Sequence, residues 1–375
     1  MNRKVLLPLR PAKLAVACWS AMVALGALGG QALAQDKDIR RFEGQTLNFA
    51  GYSSTFNEEW AKAFGTYFEK RTGVKINWIP SSPSKNITRI RASGGNPDID
   101  VMLMDSANLA RGAQEDVVGK VDLANVPNME KVPQSLRINA GIPSMMYRYG
   151  NCYRTDKFKE LGLSEPGSVD VWAAKGLEGR VMFPSTTAAQ WLITAPAIVK
   201  SVGGSYDAPD KAIEALSSKV KAYGFFNSSG DMDAAMTAGD VWLTVGNNQG
   251  RCLALKRQGV PVEYAHWKIE SDGKQYSDLI NPDNLVMVKG TPNKELVELF
   301  MNEYLSDEAI ESNLLLYRFI AGTPPTPAAV KKLSETDPGV KVWVIEDPDK
   351  LFLPNYGDFL PHLRDWTTGW SNILR

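Results

Sequence analysis

The chain has 375 residues, with 42 basic and 42 acidic side chains and three cysteines. This length is ample for two domains, or one large domain, around a substantial buried core. The charges are balanced and scattered along the chain, whereas nucleic-acid binding needs clustered basic residues. We therefore expect no nucleic-acid partner.

The first 34 residues have the pattern of a secretory signal peptide. Four basic residues lie near the start, an apolar run covers residues 14–28, and the segment ends in Ala32-Leu33-Ala34. This order of basic head, apolar core and small residues predicts cleavage after Ala34 and a periplasmic location for the rest. The run is shorter than the roughly 20 residues of a membrane-spanning helix. Cys18 leaves a lipid anchor open as an alternative, although Ala15-Val16-Ala17 is a poor acylation signal.

Removal of residues 1–34 leaves 38 basic residues, 42 acidic residues and two cysteines, Cys152 and Cys252. An even pair of cysteines in an oxidising compartment is compatible with a disulfide. The sequence does not show whether the two side chains meet. A disulfide and two buried free thiols therefore remain alternatives.

Strands and helices alternate in the first third of the chain. Hydrophobic periodicity predicts strands over 47–50, 74–79 and 99–104, a helix over 57–71 and a short helix around 87–90. In the longer helix, Trp60, Phe64 and Phe68 share one face. This β-α-β-α-β order predicts a parallel sheet covered by helices.

A second α/β set follows an irregular segment, 122–137, and an extended one, 142–153. Strands are predicted over 181–183, 241–245, 262–265 and 285–288, and helices over 188–200, 208–220, 231–238, 249–258, 294–304 and 307–317. Ser185 or Thr186 is the predicted cap of the first of these helices, and 270–274 is a predicted polar turn. Two comparable sets in one chain indicate two lobes with a cleft between them.

The sequence carries no recognisable catalytic motif. Its two histidines, His266 and His362, are far apart, and neither H-E-x-x-H, G-x-S-x-G, G-x-G-x-x-G nor a P-loop occurs. We therefore expect a protein that is not an enzyme and that needs neither a cofactor nor a metal. Carboxylates are plentiful, so a secreted hydrolase that uses a carboxylate pair remains an alternative.

Six blocks of sequence resemble a known family. They are YGNCYRTDKFKELGL at 149–163, SVDVW at 168–172, LEGRV at 177–181, AYGFFNS at 222–228, AGDVWL at 238–243 and LKRQGVP at 255–261. In this order they are similar to the extracellular solute-binding proteins of ABC importers. The group includes binders of spermidine/putrescine, iron(III), thiamine and aminoethylphosphonate.

The resemblance implies an α/β type II periplasmic-binding fold, in which two lobes close on a ligand by hinge motion and deliver it to an ABC-transporter permease. Lobe 1 would comprise 35–146 with 282–322, and lobe 2 would comprise 147–281 with 323–375. The chain would cross between lobes at 144–149, 281–284 and 322–327. We expect a monomer. A sensor that signals to a membrane receptor would share this fold, and fold does not separate the two.

Ligands of open α/β sheets bind beyond the carboxyl ends of strands, where helices begin. This rule, applied through the resemblance, selects polar residues that follow strands: Tyr52, Ser53, Ser54, Asp105, Ser106, Thr186, Thr187, Asn247 and Asn248. The crossing segments add Tyr147, Arg148, Tyr149 and Asp283. Asp283 matches the position of an amine-binding aspartate in the polyamine binders.

The expected ligand follows from the charges of these candidates. The segment STTAAQW at 185–191 has no carboxylate, whereas the polyamine binders of the family use several. Arg148 offers a planar fork that suits a carboxylate or phosphonate. We therefore expect a small zwitterion or anion, such as an aminophosphonate or amino-carboxylate, with a polyamine as the alternative. Trp78 and Trp191 would either wall this site or belong to the core.

Overall fold

A computed structural model describes residues 39–374 except 54, 318–319, 322–326, 337–343 and 345–346. The predicted signal peptide with Cys18, the site candidate Ser54 and most of the predicted crossing at 322–327 lie outside the described residues. The other predictions can be compared with the structure.

Strands and helices alternate as the periodicity predicts. The strands are β1 (Thr46–Tyr52), β2 (Lys75–Ser81), β3 (Val101–Asp105), β4 (Gly141–Arg154), β5 (Val181–Pro184), β6 (Ala222–Phe226), β7 (Leu243–Asn248), β8 (Val262–Ala265), β9 (Lys268–Ser271), β10 (Lys274–Ser277), β11 (Leu279–Met287) and β12 (Ile320–Ala321). The helices are α1 (Thr55–Thr72), α2 (Pro83–Ala92), α3 (Ser106–Gln114), α4 (Thr155–Leu161), α5 (Val169–Trp172), α6 (Ala189–Ser201), α7 (Pro209–Ser217), α8 (Ser229–Ala238), α9 (Gln249–Arg257), α10 (Lys294–Tyr304), α11 (Asp307–Tyr317), α12 (Pro327–Thr336), α13 (Tyr356–Phe359) and α14 (Leu363–Gly369).

One sheet runs through the molecule in the order β2-β1-β3-β11-β4-β7-β5-β6, with β8 and β12 also paired to β4. β1 is parallel to β2 and β3, and β5 is parallel to β6 and β7. The predicted parallel arrangement of the first set is thus confirmed. The antiparallel pair β11–β4 joins the two parallel groups.

The predicted crossings lie side by side on β4 and β11. Asn281 is opposite Tyr147, Pro282 is opposite Met146, and the register shifts between Pro282 and Asn284. β12, just before the third predicted crossing, pairs with Met145 and Met146. Three stretches of chain therefore run next to each other where the two halves meet.

Two large hydrophobic clusters lie on either side of this strand pair. One contains Phe49, Trp60 and Phe300, and the other contains Trp172, Trp267 and Trp366. The first cluster draws mainly on 47–146 and 280–309, and the second on 149–279 and 352–373. The lobes proposed from the sequence would assign Ile280 and Leu351 to lobe 2, but both residues pack in the first cluster. We keep the division into lobes as a proposal.

Two local predictions are wrong. The N-cap of α6 is Ala188 rather than Ser185 or Thr186, because Ser185 and Thr187 share a hydrogen bond and the chain makes one further turn before the helix. The segment 268–277 forms the hairpin β9–β10. The polar turn predicted at 270–274 is correct only at the tip of this hairpin, where Asp272 and Gly273 have positive φ.

Cys152 and Cys252 form a disulfide with a Cα–Cα distance of 5.7 Å. Both cysteines are fully buried, among Met182, Phe226 and Met232. The bond joins β4 to α9. Of the two alternatives that the sequence left open, the structure therefore has the disulfide rather than two buried free thiols.

Candidate functional site

A cavity of about 590 Å³ lies where β1 and β3 end, beside the β4–β11 pair and against α6 and α14. Its lining residues are Tyr52, Asp105, Asn108, Tyr147, Tyr149, Thr186, Ala188, Trp191, Leu192, Ile193, Asn281, Asp283, Leu363 and Thr367. Both proposed lobes contribute to it. Six of the candidates chosen from the sequence meet here: Tyr52, Asp105, Tyr147, Tyr149, Thr186 and Asp283.

Two carboxylates in this cavity are joined through one tyrosine. The Tyr52 hydroxyl lies 3.2 Å from Asp105 Oδ2 and 3.3 Å from Asp283 Oδ1, and it accepts the Asp105 backbone N–H at 3.0 Å. Burial raises the pKa of the Asp283 carboxyl well above its usual range, and the nearby Asp105 raises it further. Burial and the two carboxylates also raise the pKa of Tyr52. The described lining of the site is acidic and includes no lysine, arginine or histidine.

The start of α3 holds Asp105 in place. Its carboxylate caps the helix by accepting the Asn108 backbone N–H at 2.9 Å and the Asn108 Nδ2–H at 2.6 Å. Ser106 Oγ donates to the Pro282 carbonyl at 3.1 Å. This contact fixes the end of β3 to β11 beside Asp283, so Ser106 acts on the site through the backbone.

The strand β4 presents alternate side chains to opposite faces. Tyr147 and Tyr149 line the cavity, and burial raises the pKa of both hydroxyls. Arg148 does not line it. The Arg148 Nε lies 3.6 Å from Asp278 Oδ2, with Arg148 mostly buried and Asp278 fully buried. The one arginine among the candidates is thus directed away from the cleft.

Asp278 already has donors of its own. Its carboxylate accepts the Trp267 backbone N–H at 2.7 Å and contacts His266 Nδ1 at 2.7 Å. The hydrogen bond to Asp278 raises the pKa of His266. Asp278 has a φ of 135° directly before β11, a strained conformation for a non-glycine residue. This cluster with Arg148 fixes the start of the crossing strand.

The other candidates that the structure describes do not line the cavity. Ser53 is exposed, and its backbone N–H donates to the Ser81 carbonyl. Thr187 is exposed, and its hydroxyl donates to Asn227 at 3.2 Å. The fully buried Asn247 donates to Thr244 at 3.0 Å.

Asn248 caps α9 and lines a neighbouring cavity of about 500 Å³. That cavity shares Tyr149 with the first one and contains the ion pair between Arg251 and Asp233, at 2.7 Å. Arg251 is therefore a neutralised cation beside the acidic site.

The first cavity, at Asp105 and Asp283, is also lined by residues that the sequence did not single out as ligand contacts. Among them are Asn108, Asn281, Leu363 and Thr367. Asn281 is almost fully buried, and its Oδ1 has no hydrogen-bond partner. Its position in a predicted crossing segment could have identified Asn281 as a candidate ligand contact. Nothing in the sequence indicates that α14 folds back over the cleft. Trp191 serves both proposed roles, because it lines the cavity and packs against Trp370 in the core.

Within the described part of the chain, no group of three or more histidine, cysteine or acidic side chains is arranged to hold a metal ion. No helix of that part is long and apolar enough to cross a membrane.

A mixed α/β fold with one curled sheet, in which the antiparallel β4–β11 pair joins two parallel groups of strands, is the fold of periplasmic binding proteins. The family model for bacterial extracellular solute-binding proteins matches residues 18–342. The chain therefore belongs to that family of binding proteins.

Solved structures with the same fold are ABC-transporter binding proteins. An ABC transporter protein from Clostridium perfringens ATCC 13124 has a TM-score of 0.70 and 16% identity, covering 88% of this chain and 100% of its own. A spermidine/putrescine ABC transporter substrate-binding protein from Streptococcus pneumoniae has a TM-score of 0.61 and 14% identity, covering 86% and 100%.

A third similar structure, the Atu4243-GABA receptor, has a TM-score of 0.63 and 17% identity, and the match covers 88% of this chain and 98% of the receptor. At these identities the likeness shows the fold. A search of curated protein sequences gives no significant match.

Proposed function

We propose that this protein binds a small organic ligand through a protonated amine in the cavity at Asp105 and Asp283. The observation that carries the proposal is the charge of the cavity. Among its described lining residues are two carboxylates and no lysine, arginine or histidine. An opposite charge within hydrogen-bond distance of a buried carboxylate is strongly favourable.

The uncharged walls of the cavity suit the same ligand. Tyr52, Tyr147, Tyr149 and Trp191 surround the carboxylates, and aromatic faces attract organic cations. Asn281 Oδ1 is a buried acceptor without a donor. An ammonium group supplies three donors, so it can satisfy this oxygen as well as a carboxylate.

The position of Arg148 disfavours a simple anion as the ligand. The expectation of a zwitterion or anion depended on this guanidinium, and the structure directs it to Asp278. A simple anion then has no cation in the cavity. A polyamine, or a zwitterion bound through its amine, fits better. Two of the similar structures are described as a spermidine/putrescine binder and a GABA receptor, and these compounds carry amines.

Export and delivery form the second part of the proposal. We propose that residues 1–34 are removed on export, that the mature protein acts as a monomer in the periplasm, and that it passes its ligand to an ABC-transporter permease. Membership of the extracellular solute-binding family supports this route. Mass spectrometry of the protein from a periplasmic extract tests the first step, because the expected N-terminus is Gln35.

A thermal-shift screen tests the ligand class, since a ligand that binds only the folded state raises the melting temperature. The panel contains putrescine, spermidine, GABA and 2-aminoethylphosphonate as amines, with succinate as the anion without an amine. We expect amines to stabilise the protein and succinate to have no effect. Stabilisation by succinate without any response to amines would overturn the proposed ligand class.

Substitution of Asp283 on β11 and of Arg148 on β4 distinguishes a ligand held through an amine from a ligand held through an anionic group. Asp283→Asn should weaken binding of the best amine at least tenfold, because a charge-assisted hydrogen bond contributes about 1.5–3 kcal/mol. Asp98→Asn makes the same chemical change on the surface, where Asp98 pairs with Arg89, and should leave affinity unchanged. If Arg148→Gln abolishes binding and Asp283→Asn does not, the guanidinium holds the ligand instead.

A further inference from the structure

We propose that the site without ligand stores one proton on the Asp283 carboxyl, beside Asp105, and that the ammonium group of the ligand displaces this proton into solvent. The inference rests on the proposed function, because it concerns how the same site accepts an amine. It adds a proton to the binding reaction and makes affinity depend on pH.

The contacts among Tyr52, Asp105 and Asp283 provide too few hydrogen-bond donors for two ionised carboxylates. Tyr52 Oη lies within 3.3 Å of an oxygen of each carboxylate, but a phenol has a single O–H to donate. Asp105 has further donors in Asn108. Within the described residues, Tyr52 is the donor that the structure gives to the Asp283 carboxylate. A proton on the pair resolves this shortage.

Among the described residues, the elements packed around the pair bring no positive charge to it. The titratable groups that face the two carboxylates are the hydroxyls of Tyr52 on β1, Tyr147 and Tyr149 on β4, Tyr304 on α10 and Tyr356 on α13. Burial raises the pKa of each of these hydroxyls, so all of them are neutral.

Two cations described near the cavity, Arg148 and Arg251, have partners of their own. Arg148 contacts Asp278, and Arg251 pairs with Asp233 in the neighbouring cavity. Burial beside a second carboxylate, without a nearby free cation among the described residues, favours the protonated form of the Asp283 carboxyl. The raised pKa of Asp283, caused by burial and then by Asp105, agrees with this behaviour.

The exchange balances in charge. One ammonium enters the cavity with one positive charge, and one proton leaves for solvent, so the buried charge of pair and occupant stays constant. A neutral ligand cannot replace the proton in this way. Because protons compete with the ligand, affinity for an amine should fall by up to about tenfold for each pH unit below the point where the pair loses its proton.

Isothermal titration calorimetry with the mature protein and putrescine measures the exchange. Titrations at the same pH in buffers of different ionisation enthalpy give the number of protons released as the slope of observed against buffer enthalpy. Putrescine stays fully protonated between about pH 5 and about pH 8, the range of the experiment. We expect release of about one proton near pH 5, with binding that tightens as pH rises.

Two variants make the result specific. Asp283→Asn should release no proton with whatever amine affinity remains, and Asp98→Asn should behave as the wild type. An infrared difference spectrum should show loss of a protonated carboxyl band on ligand addition in the wild type and not in Asp283→Asn. This spectrum needs no comparison of affinities, so it remains informative if the variant binds weakly.

The outcomes separate the inference from the proposed function. Putrescine that binds with no proton release at any pH, or with affinity that does not change with pH, overturns the stored proton and leaves the amine site intact. Failure of every amine in the panel to bind overturns the proposed ligand class and the exchange together.

Discussion

Loss of the Cys152–Cys252 bond should destabilise the protein more than any single surface change. The two cysteines are 100 residues apart in the sequence, and the chain-entropy model assigns about 4.7 kcal/mol to a cross-link that closes a loop of this length. Both side chains are fully buried, so substitution also leaves a small cavity. The expected fall in melting temperature is roughly 7 °C, because a chain of about 340 residues has an unfolding entropy of about 0.7 kcal/mol/K.

Three variants isolate the bond: Cys152→Ala, Cys252→Ala and the double variant. Either single substitution breaks the bond, so each should lose nearly as much free energy of unfolding as the double variant. Residues that act as one unit are non-additive in this way. Urea unfolding is the assay, and the m-value should rise in all three because the unfolded chain becomes more expanded.

Reductant is the matched control. Dithiothreitol should lower the unfolding midpoint of the wild type to near that of the variants, and it should not change the double variant. The reasoning is refuted if the denatured, unreduced wild type titrates two free thiols. It is also refuted if the two single substitutions each cost about 1 kcal/mol and add in the double variant.

Two further predictions concern stability. The pKa of His266 is raised by Asp278, so this pair stabilises the fold below about pH 6.5 and loses that contribution as pH rises through the raised value; the unfolding midpoints of wild type and His266→Gln should converge at alkaline pH. Gly141→Ala places a Cβ 1.9 Å from the Leu285 carbonyl oxygen and should cost about 1–3 kcal/mol in urea unfolding, whereas Gly230→Ala has no contact closer than 3.6 Å and should be neutral or stabilising.

The sequence was sufficient for the elements with strong periodicity, whereas β6, α4 and α5 were not predicted. The strand predicted at 99–104 and the helix predicted at 57–71 differ from β3 and α1 by one or two residues at each end. The hairpin β9–β10 was missed because its alternation is weak, and burial is largely confined to Ile269 and Ser271. Short polar strands give no periodic signal.

The site was only partly predictable, for a reason that Tyr147, Arg148 and Tyr149 illustrate. Three consecutive residues of a strand cannot all face one cavity, because successive side chains point to opposite faces. Selecting all three ignored this alternation, and the ligand hypothesis depended on Arg148. The contact between Tyr52 and Asp283 joins residues 231 positions apart and depends on sheet register, which a single sequence does not fix.

Two buried aspartates, Asp278 directly before β11 and Asp283 within it, differ in a way that supports the proposed binding role of the acidic pair. Asp278 is fully buried, and it has His266, the Trp267 backbone N–H and Arg148 around its carboxylate. Asp283 is almost as buried, yet it has the shared Tyr52 hydroxyl and a second carboxylate nearby.

A buried charge without compensation is costly. The chain provides such compensation to Asp278, five residues before Asp283. The unsatisfied carboxylate lies at a cavity that both proposed lobes line. The missing positive charge is therefore one that a ligand can supply, and its arrival would favour the closed arrangement of the two lobes because groups from both would then be satisfied.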